Sequence, residues 1–301
     1  MNAALEKAGA LIEAHRYILS FRDKIVVVKV GGSVQEDEDK LRGLLSDISF
    51  MAAVGIRPII VHGGGKSITA AMNAAGLKTT FVQGRRYTDR QTLEIAERVL
   101  AHEINRELVE HLNQTGATAL GLHSMGSCVL FGERLYLDGA GGNGATGTID
   151  IGYVGNVTEV NTVLLKALCE DGYIPVIAPI AISRTGSPEG VWKLNVNGDT
   201  AAGVVAASLQ AEKLVMMSDT NGIRTDPARQ DSYASTLTRA EIDALCERGI
   251  IGEGMLPKVQ ACITALEAGV PKAHIIDGRI PHSILLEIYT DAGVGTQIIL
   301  E

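Results

Sequence analysis

The stretch Lys24-Ile25-Val26-Val27-Val28-Lys29-Val30-Gly31-Gly32 (KIVVVKVGG) is an apolar, β-branched run closed by paired glycines. A run of this kind, with no polar alternation, predicts a strand buried on both faces, as in parallel sheets covered by helices. Outward from it, helical periodicity over residues 39–54 is followed by a second buried strand, RPIIVH at 57–62. Gly63-Gly64-Gly65 then opens a helix over 66–75, which makes a βαβα start.

The same alternation continues. A long helix over 90–114 leads to a strand at 118–122, and the region 129–160 alternates like hairpins. Helix 162–170, strand 174–179, helix 200–209, strand 213–218, helices 239–247 and 256–268, strand 273–277, helix 282–290 and strand 296–300 follow. This order predicts a mostly parallel sheet sandwiched by helices. No low-complexity linker or fixed-period repeat divides the chain, so one fold with two lobes is expected, about 21–180 and 181–301, with the seam in 180–197. An amphipathic helix over residues 1–20 precedes it.

With 301 residues, 46% of them hydrophobic, the chain can bury a full core, which excludes a disordered protein. No apolar run reaches the roughly 18 residues of a membrane span, and the acid-bearing start is no signal peptide, so a cytoplasmic protein is expected. A net charge of -8 argues against nucleic acid as a partner. Cys128, Cys169, Cys246 and Cys262 form no C-x-x-C pair and read as buried thiols, and the histidines show no ligand spacing, so no protein-bound metal is expected.

Two glycine clusters follow buried strands, Lys29-Val30-Gly31-Gly32-Ser33 and His62-Gly63-Gly64-Gly65-Lys66-Ser67. Ligands of open α/β sheets bind beyond the carboxyl ends of the strands, where bare backbone N–H groups and helix N-termini favour anions. Both clusters read as phosphate or carboxylate cradles. The second is not a Walker A loop, because that motif requires glycine where Ile60 stands. Gly139, Gly141 and Gly144 satisfy G-x-G-x-x-G, but a strand-like segment follows, so a glycine-rich loop is expected there. His62 reads as structural. Further on, Asn195-Val196-Asn197-Gly198-Asp199-Thr200 precedes a helix of small residues that Asp199 and Thr200 can cap, and Pro257 sets Lys258 at a helix start. In isolation Asp199 reads as a cap and Lys258 as a surface lysine.

Together VVKVGGS, PIIVHGGG, FVQGRRYTD, GYVGNV, NVNGDTAAG, AEKLVMMSDTNGI, GMLPKV and HIIDGRIPHSILLEIYTDAGVGT resemble the amino-acid kinase family, most closely its branch that phosphorylates N-acetyl-L-glutamate. The resemblance runs in unbroken order from about residue 24 to the C-terminus. It implies a three-layer αβα sandwich, with the acyl amino acid on the N-terminal lobe and ATP, carrying Mg²⁺, on the C-terminal lobe. By motif, Lys29 and Lys258 correspond to the lysines that neutralise the transferring phosphoryl group, and Asp199 to the aspartate that holds them. Gly64, Gly65, Arg86 and Asn195 correspond to substrate ligands, Arg86 gripping a carboxylate. Gly31, Gly32 and Gly63 correspond to residues that offer backbone N–H groups to phosphate, and Asp219 and Gly222 to the nucleotide side.

Such chemistry needs no general base, because a side-chain carboxylate with a reference pKa near 4.3 is already ionised at neutral pH. Lys66, Arg85 and the stretch after Leu122 depart from the family pattern. The two basic departures keep open an aminoadipate-type kinase acting on a carrier-protein-linked substrate, and an inactive arginine-sensing interaction protein is a further alternative. In arginine-inhibited relatives, an N-terminal extension interlaces dimers into a hexamer, a trimer of dimers. By the same resemblance Tyr17, Lys213, His282, Glu287 and Gly295 fall at the arginine site, and a nitrogen-regulatory signalling protein is a conceivable partner.

Overall fold

The computed structural model describes residues 2–35, 37–140, 146–187, 189–229, 231–252, 254–290 and 293–301. Its central sheet runs, edge to edge, Thr236–Thr238, Thr296–Ile299, Lys272–Asp277, Lys213–Ser218, Ile25–Val30, Arg57–His62, Ile174–Ile177 and Ala119–Leu122. All neighbours are parallel except Lys272–Asp277 with Thr296–Ile299. The Ile25–Val30 strand is interior, with Lys29 in register with Val61 on one side and Met216 on the other.

Alternation of side chains across the sheet builds two cores from one strand. Val27 packs with Ala201, Ala202 and Val205 of helix Gly198–Leu209, in a core shared with helices Thr162–Glu170, Arg239–Glu247 and Leu256–Glu267. Val26, Val28 and Val30 pack in the opposite core with helices Glu38–Ala53, Gly65–Ala74, Asn105–Gln114 and Ser283–Tyr289. The result is the αβα sandwich. Lys29 shares the parity of Val27, so it leaves the sheet on the side of helix Gly198–Leu209.

A second small sheet caps the strand ends. Leu130–Ala140 and Thr146–Val160 form one long antiparallel hairpin, which closes into a four-stranded barrel with Ile180–Ser183 and Lys193–Val196. The stretch expected to hold the lobe seam thus contributes two barrel strands. Of the expected glycine-rich loop, Gly139 belongs to the hairpin, while Gly141 and Gly144 lie outside the described residues.

The helix expected over 90–114 is continuous but not uniform: Arg98–Ile104 winds as a π-helix between Arg90–Glu97 and Asn105–Gln114. The first helix, Asn2–Phe21, packs beside Ser283–Tyr289. Among the described residues no helix is long and apolar enough to cross a membrane. Cys169 and Cys262 are buried thiols as expected, but Cys128, in the connection between Ser127 and Leu130, and Cys246, in the last turn of helix Arg239–Glu247, are only half-buried.

Candidate active site

Asn197 starts the site. Its side-chain oxygen accepts hydrogen bonds from the backbone N–H groups of Asp199 at 2.9 Å and Thr200 at 3.0 Å, so Asn197 is the cap of helix Gly198–Leu209. The expectation that Asp199 or Thr200 caps this helix is corrected by that geometry. The Asp199 carboxylate, relieved of capping, turns instead to two ammonium groups. Lys29 Nζ lies 2.7 Å from Oδ1 and Lys258 Nζ donates to Oδ2 at 2.9 Å. The Lys29 contact is an ion pair outside hydrogen-bond alignment, and the Lys258 contact is a hydrogen bond as well.

The three groups come from a strand end, a capped helix start and a helix whose first turn contains Pro257. Lys29 and Asp199 are buried. Burial depresses the Lys29 pKa, with Asp199 opposing and Lys258 reinforcing that effect. For Asp199 burial alone would raise the pKa, but Lys29 and Lys258 outweigh it and hold the carboxyl below its ordinary value. The carboxylate stays ionised at neutral pH.

A cleft of about 210 Å³ opens beside this triad, lined by Gly63, Gly64, Gly65, Arg86, Asn195 and Asp199 among others. A Cβ on Gly64 would fall 2.7 Å from both Leu100 Cδ2 and Ile104 Cδ1, side chains that the π-helix pushes toward the glycine loop. His62 holds the loop from beneath. Its Nδ1 donates to the Gly63 carbonyl at 3.0 Å, and its Nε2 accepts from Asn105 Nδ2 at 3.2 Å. Burial lowers the His62 pKa to about 4, so the ring is neutral and structural, as expected. Asn105 was not singled out from the sequence; it is one polar residue in a helix full of them.

Arg86 lines this cleft, but both of its terminal nitrogens are engaged by protein. Nη2 donates to the Gly65 carbonyl at 2.7 Å and to Thr69 Oγ1 at 2.8 Å, while Nη1 reaches Thr79 Oγ1 and Met72 Sδ, each at 3.4 Å. The side chain thus ties the Phe81–Val82 and Arg85–Arg86 hairpin to helix Gly65–Ala74. Asn195 donates its amide to Thr88 Oγ1 at 3.2 Å and also lines the cleft.

A second cleft, about 280 Å³, is lined by Thr220, Gly222, Ile223, Tyr233 and Met255, the last of them three residues before Lys258 in sequence. Gly222 sits there at φ 115°, in the turn after Lys213–Ser218, and Asp219 is exposed at the start of that turn, near enough to Lys29 to favour its charged form. Gly32 borders the first cleft. Gly31 is buried behind it and its carbonyl accepts from Val34 N.

Of the residues assigned to an effector site, Lys213 and Glu287 meet at 2.6 Å, both buried, and His274 Nε2 donates to the same Glu287 oxygen at 2.9 Å. The other oxygen accepts from Val294 N at 2.9 Å, which fixes the approach to Gly295. His282 lies apart, its Nδ1 2.7 Å from the buried carboxylate of Asp47. Tyr17 packs from the first helix onto the same core as Ile284 and Ile288. His274 is the member of this cluster that the sequence did not single out.

Burial alone would raise the Glu287 pKa, but the His274 hydrogen bond and Lys213 hold it at about 2, against an ordinary 4.5. A depressed carboxyl stabilises the fold fully above its unfolded pKa and loses that contribution as pH falls through the folded value. Glu287→Gln therefore costs about 3 kcal/mol near neutrality, and the gap to wild type closes between about pH 4.5 and 2. Urea melts of both proteins across that range check it; a gap independent of pH sinks the assignment.

The profile described as the amino acid kinase family matches residues 24–277. The acetylglutamate kinase of Methanothrix thermoacetophila is 45% identical over 294 residues, 98% of this chain and 99% of that protein. That of Geobacter sp. strain M21 is 42% identical over 298 residues, 99% of each. Among solved structures, N-acetylglutamate synthase from Neisseria gonorrhoeae, complexed with coenzyme A and N-acetyl-glutamate, superposes with a TM-score of 0.82 at 26% identity, covering 98% of this chain and 63% of that longer one. Carbamate kinase from Giardia lamblia bound to AMP-PNP shares the fold, with a TM-score of 0.64 at 17% identity over 92% of this chain and 99% of that one.

Proposed function

The chain belongs to the amino acid kinase family, and we propose that it transfers the γ-phosphoryl group of ATP to the side-chain carboxylate of N-acetyl-L-glutamate, in the cytoplasm, as a step of arginine biosynthesis. The observation that carries this reading is the Lys29–Asp199–Lys258 constellation, with Lys29 and Asp199 lining the cleft of the glycine loop. Its relatives named acetylglutamate kinase match it end to end.

The acceptor carboxylate is already a nucleophile, so the protein's task is to bring two anions together and neutralise charge as phosphorus passes between them. Lys29 lines the cleft proposed to hold the amino acid, and Lys258 reaches the Asp199 carboxylate from helix Leu256–Glu267. Asp199 cancels one of the two charges and keeps the ammonium groups in place before substrate arrives, so no reorganisation is needed during transfer. Mg²⁺ bound to the nucleotide would supply further neutralisation of phosphate charge. Asn195 donates one side-chain N–H to Thr88, an orientation that leaves its side-chain oxygen to accept from the substrate's amide N–H. The two lobes, about residues 21–180 and 181–301, take the amino acid and the nucleotide respectively.

ATP turnover with N-acetyl-L-glutamate, N-acetyl-aminoadipate and free L-glutamate, with the acyl phosphate trapped by hydroxylamine, tests the reading. The first compound is expected to be the best substrate; absence of a hydroxamate from all three would sink it.

Regulation by arginine belongs to the same proposal. Glu287 is saturated by Lys213, His274 and Val294, so an arginine guanidinium reaches it only by displacing a buried partner. Binding is thereby tied to a rearrangement beneath the first helix, which is what coupling between two global states requires. Deleting residues 1–20 should abolish inhibition by millimolar arginine, leave much of the catalysis, and convert a hexamer into a smaller assembly on sedimentation. A truncated form that remains hexameric and equally inhibited removes the regulatory assignment.

A further inference from the structure

A cleft of about 220 Å³ lies between one face of helix Glu38–Ala53 and the turn that leads into helix Ser283–Tyr289, and it shares no lining residue with the two clefts described above. Gly43, Leu44 and Asp47 line it from the helix, and Ile280, Pro281 and Ser283 from the turn. Asp47 is 4% exposed; His282 Nδ1 engages its Oδ1 at 2.7 Å, and no described residue hydrogen-bonds its Oδ2. Ser283 is 2% exposed, and its hydroxyl likewise has no partner among the described residues. Burial raises the Asp47 pKa, an effect that His282 only partly offsets. A buried carboxylate oxygen and hydroxyl at one end of a cleft are costly to leave without a donor.

Gly43 supplies an independent observation. Glycine within a helix costs about 0.5–1 kcal/mol relative to alanine, yet a Cβ at this position would meet nothing within 4 Å. Packing of the fold therefore does not require this glycine, whereas an occupant lying across the helix face does. The charges at the rim indicate the sign of that occupant. Both oxygens of Asp277 hold Arg279, and Asp37 holds Lys40, so the cations bordering the cleft are already paired. Asp39 also lines the cleft, is exposed, and has no ion pair among the described residues. Helical rise sets it about 12 Å along the axis from Asp47.

We propose that this cleft binds a linear aliphatic diammonium. One ammonium donates to Asp47 Oδ2 and the Ser283 hydroxyl, the methylene chain crosses Gly43 against Leu44, Ile280 and Pro281, and the second ammonium meets Asp39 at the mouth. Lys213 and Glu287 do not line this cleft, which separates it from the effector cluster.

Calorimetric titration of the full chain with 1,5-diaminopentane near neutral pH tests the site. One saturable site per chain is expected, with n-pentylamine weaker by up to about 5-fold, the scale of an exposed ion pair, and 1,5-pentanediol not bound. Asp47→Asn should weaken the diamine by about 10-fold or more, the scale of a hydrogen bond to a charged group. Gly43→Leu should abolish binding by filling the cleft, with a melting temperature at or above that of wild type, because leucine is the better helix former; this variant carries the test should Asp47→Asn fail to fold. Glu287→Gln should bind as wild type does. Absence of saturable binding up to about 20 mM, or undiminished binding in Gly43→Leu, overturns the proposal. Selective loss of binding in Glu287→Gln moves the diamine to the Lys213 cluster and overturns it equally.

Discussion

Lys29→Met and Lys258→Met should each lower kcat by about 10²-fold or more, the effect of removing one preorganised electrostatic donor from a transition state. Charge on the transferring phosphoryl is greatest at the transition state, so kcat should fall more than KM rises. The two variants should differ in a second respect. Lys29 is more deeply buried than Lys258, so Lys29→Met leaves a buried carboxylate with one partner, while Lys258→Met leaves the tighter ion pair intact. The Asp199 pKa should therefore move further toward its ordinary value or above in Lys29→Met, and the acid limb of the kcat profile should move with it. Steady-state kinetics from pH 5 to 9, on proteins whose folding is checked by thermal melts, decide the matter. Near wild-type turnover in either variant removes that lysine from the mechanism.

Much of this constellation can be read in the sequence because its causes are local. Parity along KIVVVKV sends Lys29 to the face of Val27, and that face is covered by the helix that begins at Gly198. Strand Arg57–His62 and helix Thr162–Glu170 fall where apolar pattern and turn signals put them. What stays hidden depends on pairings between distant segments. Ile180–Ser183 and Lys193–Val196 are short, and only registration against the long hairpin makes them barrel strands. The π-helix leaves no mark in hydrophobic periodicity, since one widened turn shifts Leu100 and Ile104 by less than the width of an apolar face. Arg86 as a carboxylate grip is motif logic, whereas its internal bonds to Thr69 and Thr79 appear only when the hairpin is laid on helix Gly65–Ala74. Glu287 is a carboxylate on an amphipathic helix in sequence and a buried three-partner acceptor in the fold. Asn197 was within reach, because a cap two residues before a buried aspartate is a local signal that Asp199 itself obscured.

The spacing between Asp199 and Lys258 is set one turn away, at Gly203. A Cβ there would stand 2.7 Å from the Ala261 carbonyl oxygen and 2.8 Å from its Cα, distances that only a shift of helix backbone can relieve. Gly203 follows Asp199 by four residues and Ala261 follows Lys258 by three, so in each helix the contact lies under the charged residue on the same face. Gly203→Val forces the two helices apart at a point where neither partner is a flexible side chain. Overpacking of this kind costs about 3 kcal/mol, which for a chain of this size lowers Tm by roughly 5 °C. It should also lower kcat at temperatures where the variant is fully folded, because the Lys258–Asp199 hydrogen bond opens when helix Leu256–Glu267 moves away. Gly203→Ala should fall between wild type and valine in both measurements, since its single Cβ already meets the 2.7 Å contact. Calorimetry and turnover at 20 °C provide the two readouts. A valine variant with wild-type Tm and kcat would mean that the helices yield freely and that their close approach does not position Lys258.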